Sequence, residues 1–142
     1  MERRAFIKAS CSICLLGFAG LSLHSLPALA AGKNKVFKTT VNDKNELEIP
    51  AAIFAESTLQ IIRVKGWEYD VALHRKEDGT YAAFLMKCTH MDNQVAVTGD
   101  GFVCNMHGSR YDKEGNVLNG PAELPLTQYK TRIEQDTIII SE

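Results

Sequence analysis

The chain has 142 residues, 45% of them hydrophobic, with 16 basic and 17 acidic side chains and a net charge of −1. That length is room for one domain. The composition is that of an ordinary globular protein, and the near-neutral charge excludes a basic field for nucleic acid. The four cysteines fall in two places, Cys11 and Cys14 in an apolar N-terminal stretch and Cys88 and Cys104 far downstream.

Arg3 and Arg4 precede Ala5-Phe6-Ile7-Lys8. No formal charge then appears until after Gly32, and the apolar centre runs from Leu15 to Leu23. Ala28-Leu29-Ala30 offers a small-residue cleavage site. The run R-R-A-F-I-K resembles a twin-arginine export signal, which carries folded cargo. It implies that residues 1–30 are a signal peptide, cut near Ala31, and that the mature protein is periplasmic. The alternative is a retained membrane anchor, since roughly 20 apolar residues span a bilayer. Ser22, His24, Ser25 and Pro27 make the second half a poor span. Without residues 1–30 the chain loses Arg3, Arg4, Lys8 and Glu2, leaving 13 basic and 16 acidic residues, too mild a balance to name a partner.

Residues 31–44, with Lys33, Lys35 and Lys38, read as a solvated linker, and residues 45–142 as the domain. Asn42 to Asn45 is a turn cluster, followed by a short strand from Leu47 to Ile49 that Pro50 ends. Ala51 to Ser57 suits a single helical turn. Leu59 to Lys65 is apolar and β-branched. Gly66 breaks it, and Glu68 to Arg75 alternates, with Tyr69, Val71 and Leu73 on one face. That places His74 on a solvent face, and Trp67 reads as a packing residue. Asp78-Gly79 is a hairpin turn, and Tyr81 to Lys87 is a strand that delivers Cys88. Thr98 to Gly101 turns the chain, Phe102-Val103 delivers Cys104, and Lys113 to Asn116 turns it again. Thr127 to Glu134 and Thr137 to Ser141 close a hairpin at Gln135-Asp136. No long helical period appears after residue 35, so short strands and frequent turns predict a small all-β antiparallel sandwich or barrel.

The chemistry lies between Cys88 and Tyr111. Each of two short loops carries a cysteine closely followed by a histidine, Cys88 with His90 and Cys104 with His107. Two thiolates and two imidazoles make a four-ligand metal site. One ion is a possible occupant, because tetrahedral zinc takes Cys2His2 sets. However, zinc fingers pair like with like, whereas C-x-H is a poor bite for one small ion and suits two metals a few ångströms apart.

The runs C-T-H, from Cys88 to His90, and C-N-M-H-G-S-R-Y-D, from Cys104 to Asp112, resemble the Rieske iron–sulfur family. The resemblance implies a β-domain that clamps a 2Fe–2S cluster between two loops at one tip. Cys88 and Cys104 would hold one iron, and His90 and His107 the other. Two ferric ions, two sulfides and two thiolates sum to zero charge, so the oxidised centre accepts an electron readily. Rieske potentials accordingly run from roughly −150 to +300 mV. In relatives of the cytochrome bc type, hydroxyls placed like those of Ser109 and Tyr111 donate to a cluster sulfide and to a cysteine sulfur, which raises the potential. Asn119-Gly120-Pro121-Ala122, followed by Pro125, resembles the proline loop that covers the cluster in those relatives, with Gly120 and Pro121 at its bend.

The chain departs from the bc-type pattern. The two further cysteines that join the loops by a disulfide are here Asn93 and Met106, Asp92 stands where glycine is usual, and His90 and Cys104 are closer in sequence than usual. These changes weigh against quinol oxidation, but they leave cluster ligation intact. A domain this small has no room for a substrate pocket beside the cluster. The expected role is therefore a one-electron carrier, not a catalyst on its own. Its expected partner is a redox protein: a larger oxidoreductase subunit, as in the plan of arsenite oxidase, or a cytochrome c. A cytochrome bc complex, with the chain as its Rieske subunit, is the rival.

Overall fold

The computed structural model describes residues 35–99 and 101–142; the expected signal, 1–30, lies outside the described residues. In chain order these residues form β1 (Val36–Thr39), β2 (Leu47–Pro50), a 3-10 turn (Ala51–Phe54), β3 (Leu59–Val64), β4 (Val71–Arg75) and β5 (Tyr81–Leu85). There follow β6 (Ala96–Thr98), β7 (Gly101–Val103), β8 (Arg110–Tyr111), β9 (Val117–Asn119), β10 (Gln128–Glu134) and β11 (Thr137–Ser141). The expected all-β architecture is what forms. A seven-stranded sheet runs β1-β3-β4-β5-β10-β11-β2, and a four-stranded sheet runs β6-β7-β8-β9. Every pairing is antiparallel except that of β1 with β3.

The larger sheet is covered on both faces where β4 and β5 cross its middle. Val71 and Leu73 point into a core with Leu47, Ile49, Ile62, Val64, Ile138 and Ile140. Ala72, Ala82 and Phe84 point the other way, into a second core with Met86, Phe102, Tyr111 and Leu126. Strands buried on both faces lose the simple apolar–polar alternation. This corrects the sequence reading of β4: the Ala72 face is covered, and His74 beside it is half-buried, with its pKa lowered by burial. Trp67 does pack, against Tyr129, with ring centroids 5.9 Å apart.

The turns form where their chemistry requires. Gly79 in the β4–β5 hairpin has φ +81°. At Asn42 to Glu46 the Asn42 Oδ1 accepts from the Lys44 and Glu46 N–H groups, an Asx turn. The segment read as linker is different. Val36–Thr39 is strand β1, paired along β3 from Val36↔Ile61 to Thr39↔Val64. Phe37 packs against the first core, which a solvated linker could not do. Lys35 is solvated as expected, in an exposed ion pair with Glu56 at 2.7 Å. Among the described residues, no helix is long and apolar enough to cross a membrane.

Candidate metal centre

Two loops of one design meet at the tip of the smaller sheet. The first, Cys88 to Asn93, leads from β5 to β6. The second, Cys104 to Ser109, joins β7 to β8. In the first, the Cys88 N–H donates to Asn93 O at 2.7 Å and the Asp92 N–H to Cys88 O at 3.0 Å. In the second, the Cys104 N–H donates to Ser109 O at 2.8 Å and the Gly108 N–H to Cys104 O at 2.9 Å. The residue four places after each cysteine turns left-handed, Asp92 at φ +49° and Gly108 at φ +83°. Glycine does this without strain, and aspartate is among the few side chains that tolerate it.

The structure brings the predicted residues together and sorts them by depth. Cys88 and Cys104 are each 1% exposed and belong to the second core. His90 and His107 are exposed, with ring centroids 5.0 Å apart and planes nearly perpendicular. Sulfur lies inside and nitrogen outside.

Ser109 and Tyr111 lie beneath them, 0% and 1% exposed. The Tyr111 hydroxyl is 3.4 Å from Cys88 Sγ and 3.1 Å from Thr89 Oγ1, and it accepts from the Thr89 N–H at 3.2 Å. Burial pushes the Cys88 thiol up, but hydrogen bonds from Tyr111, from the His90 and Met91 N–H groups and with Cys104 outweigh it and leave its pKa lowered. Thiolate is the form that binds metal. Burial, followed by the Cys88 hydrogen bond, raises the pKa of Tyr111, which keeps the phenol a donor. Ser109 Oγ accepts from the Ala122 N–H at 3.0 Å. Among the described residues no protein acceptor takes its own proton.

The proline loop lies against both ligand loops, though not through the two residues singled out in the sequence. Gly120 and Pro121 are exposed, and the peptide between them is cis. The contacts come from residues on either side: Asn119 Nδ2 donates to Gly108 O at 3.4 Å, the Ala122 N–H donates to Ser109 Oγ, and the Leu124 carbonyl accepts from Thr89 Oγ1 at 2.7 Å. Leu124 was not picked out from the sequence. Thr89 and Ala122 had a signal there, as the middle residue of C-T-H and the last of Asn119-Gly120-Pro121-Ala122, but no contact was assigned to either.

Comparison with known proteins agrees with this geometry. The family model described as "Rieske [2Fe-2S] domain" matches residues 50–130. The chain belongs to the Rieske family. Its cofactor is accordingly a 2Fe–2S cluster, and its chemistry is electron transfer. The cytochrome b6-f complex iron–sulfur subunit of Chlorobaculum tepidum is 33% identical over 100 residues, 68% of this chain and 54% of that one. The Rieske subunit of the Bos taurus mitochondrial cytochrome b-c1 complex is 26% identical over 142 residues, 94% of this chain and 48% of that one. The Rieske chain thus spans about half the length of these curated relatives. Among solved structures, a chain of a hyperthermophilic respiratory complex III superposes with a TM-score of 0.52 at 21% identity, covering 64% of this chain and 71% of that one. This match shows the shared fold.

The residues present fit the cluster. Two buried thiols, two exposed imidazoles and a buried hydroxyl with an unspent proton are the donor set that an iron–sulfur centre with a solvent-facing nitrogen side requires.

Proposed function

We propose that this Rieske protein is an exported one-electron carrier, the small electron-transfer subunit of a periplasmic redox complex or a soluble donor to one. Cys88 and Cys104 serve as the thiolate ligands, and His90 and His107 as the imidazole ligands. The observation that carries the reading is the sorting of the four by depth, with sulfur in the core and imidazole at the surface. When bound, the cluster supplies reversible transfer of one electron. The two histidines present that electron to a partner, because theirs are the exposed rings of the set. Their exposed rings can meet a partner group. Ser109 and Tyr111 direct protons at the sulfur side, which favours the reduced, more negative form and raises the potential.

A second reading, the Rieske subunit of a quinol–cytochrome c oxidoreductase, is favoured by the names of the relatives, which are subunits of cytochrome b6-f and b-c1 complexes. Against it stand Asn93 and Met106, which occupy the places of the cross-linking cysteines of that type.

Fractionation of cells making the full chain tests the export reading. The coloured protein is expected in the periplasm, and Arg3→Lys with Arg4→Lys is expected to hold it in the cytoplasm. Recovery with membranes, together with a cytochrome b, would select the second reading. Replacing any one of Cys88, His90, Cys104 or His107 by alanine is expected to abolish the visible absorption of the cluster. Retention of the spectrum in any one variant would remove that residue from the ligand set.

A further inference from the structure

The second ligand loop is the turn of a β-hairpin, fastened on both sides by the pairs Phe102↔Tyr111 and Val103↔Arg110. The first has no such support. It runs from β5 in one sheet to β6 in the other, and a single bridge, Lys87↔Gln94, closes its base. No cysteine at Asn93 or Met106 ties it to its neighbour.

One segment between β3 and β4 grips this loop at three heights. The Met86 N–H, on the incoming arm, donates to Asp70 O at 2.8 Å. On the outgoing arm, Gln94 Oε1 accepts from the Asp70 N–H at 3.2 Å, and Gln94 Nε2 donates to Asp70 Oδ2 at 3.3 Å. At the tip, the Tyr69 hydroxyl donates to the carbonyl of Asp92, the residue in the left-handed conformation. Asp70 is itself buried and locked by a bidentate pair with Arg63, at 2.9 and 2.8 Å. Lys87 adds an ion pair with Asp92 at 3.1 Å while its ammonium sits over the Tyr69 ring, 5.5 Å from the centroid.

We propose that Tyr69 and Asp70 are positioning residues for the metal centre, a brace that fixes the first ligand loop in place of an inter-loop cross-link. The proposal rests on the assignment of Cys88 and His90 as ligands. Tyr69 touches neither. It acts through Asp92, whose carbonyl it holds and whose N–H closes the turn that carries both on Cys88 O. Burial, the largest cause, raises the Tyr69 pKa, so the phenol remains a donor across the neutral range.

The test compares wild type, Tyr69→Phe and Arg132→Gln as purified cluster-containing proteins. Tyr69→Phe removes one hydroxyl and keeps the ring under Lys87. Arg132→Gln breaks ion pairs with Glu46 and Glu134 on β10, a strand that carries no ligand loop. The readouts are the rate of cluster bleaching under an iron chelator, the paramagnetic resonance spectrum of the reduced protein, and thermal unfolding. Tyr69→Phe is expected to speed bleaching about fivefold, the factor for one lost hydrogen bond, and to shift the resonance positions. Arg132→Gln is expected to lower the unfolding temperature with wild-type bleaching and spectrum. Bleaching that merely follows unfolding temperature in both variants would overturn the brace. So would a Tyr69→Phe protein that matches wild type. A wild-type protein that takes up no iron and sulfide would instead overturn the ligand assignment beneath it.

Discussion

The Tyr111 hydroxyl accepts from the Thr89 N–H, and the Thr89 hydroxyl gives its own proton to Leu124 O. The Tyr111 proton has two acceptors in reach, Thr89 Oγ1 at 3.1 Å and Cys88 Sγ at 3.4 Å, and a thiolate is the charged one. Ser109 also has a proton to direct, because its oxygen is occupied by the Ala122 N–H and its proton is not. A hydrogen bond to a charged group contributes about 1.5 kcal/mol or more, and for one electron that is about 60 mV. Tyr111→Phe and Ser109→Ala are each expected to lower the midpoint by about that amount with the cluster retained. Unchanged midpoints in voltammetry would show that neither hydroxyl serves the sulfur side. A different residue sets how closely the strands under the site approach. A Cβ on Gly101, at φ +150°, would lie 2.1 Å from the Tyr111 carbonyl oxygen. Gly101→Ala is expected to cost about 3 kcal/mol in urea unfolding, through a strand that carries Tyr111 itself.

The two ligand loops share their hydrogen bonds and their left-handed fifth residue, yet one has glycine there and the other aspartate. Gly108→Ala is expected to destabilise by about 1–2 kcal/mol, the cost of a Cβ in that conformation. Asp92→Gly relieves the same strain and gives up only an exposed ion pair of little worth, so its urea midpoint is expected to equal or exceed wild type. A marked loss there would mean that the Lys87–Asp92 pair matters more than its exposure suggests. The motif C-T-H and C-x-x-H-G-S-x-Y was legible because every residue in it has a chemical reason to be there. The short strands β6, β8 and β9, of three, two and three residues, were not, since so few residues establish no period. Strand β1 was missed because three lysines near it read as solvent exposure, while the apolar Phe37 did the packing. Nothing local marks Tyr69 either, as its partner lies 23 residues away.

At the scale of the molecule, the central strands β4 and β5 divide two cores, and one of these ends in the buried cysteines. The fold and the centre are thus one packing problem. The strand pattern predicted β-structure, and the family resemblance implied a tip, but neither showed this division, because Ala72 and Ala82 look like exposed small residues until the second sheet covers them. Electrostatics contributes at the far edge, where Arg132 on β10 pairs with Glu46 just before β2. The hydrogen bond from Arg132 holds the Glu46 carboxyl below its ordinary value of 4.5. A depressed carboxylate stabilises the fold above that value, and the contribution is lost as pH falls through the lower, folded one. Unfolding followed below pH 4.5 is therefore expected to show a shallower acid dependence in Arg132→Gln than in wild type; equal slopes would show that the pair is not coupled to folding. The expectations for the metal centre assume buried sulfur and exposed nitrogen shared between two irons. The direct measurement is iron and acid-labile sulfide per folded chain, with a resonance spectrum after reduction. Two irons and two sulfides per chain, with a one-electron paramagnetic signal, are expected. A colourless folded protein with a single divalent ion and no sulfide would contradict that expectation.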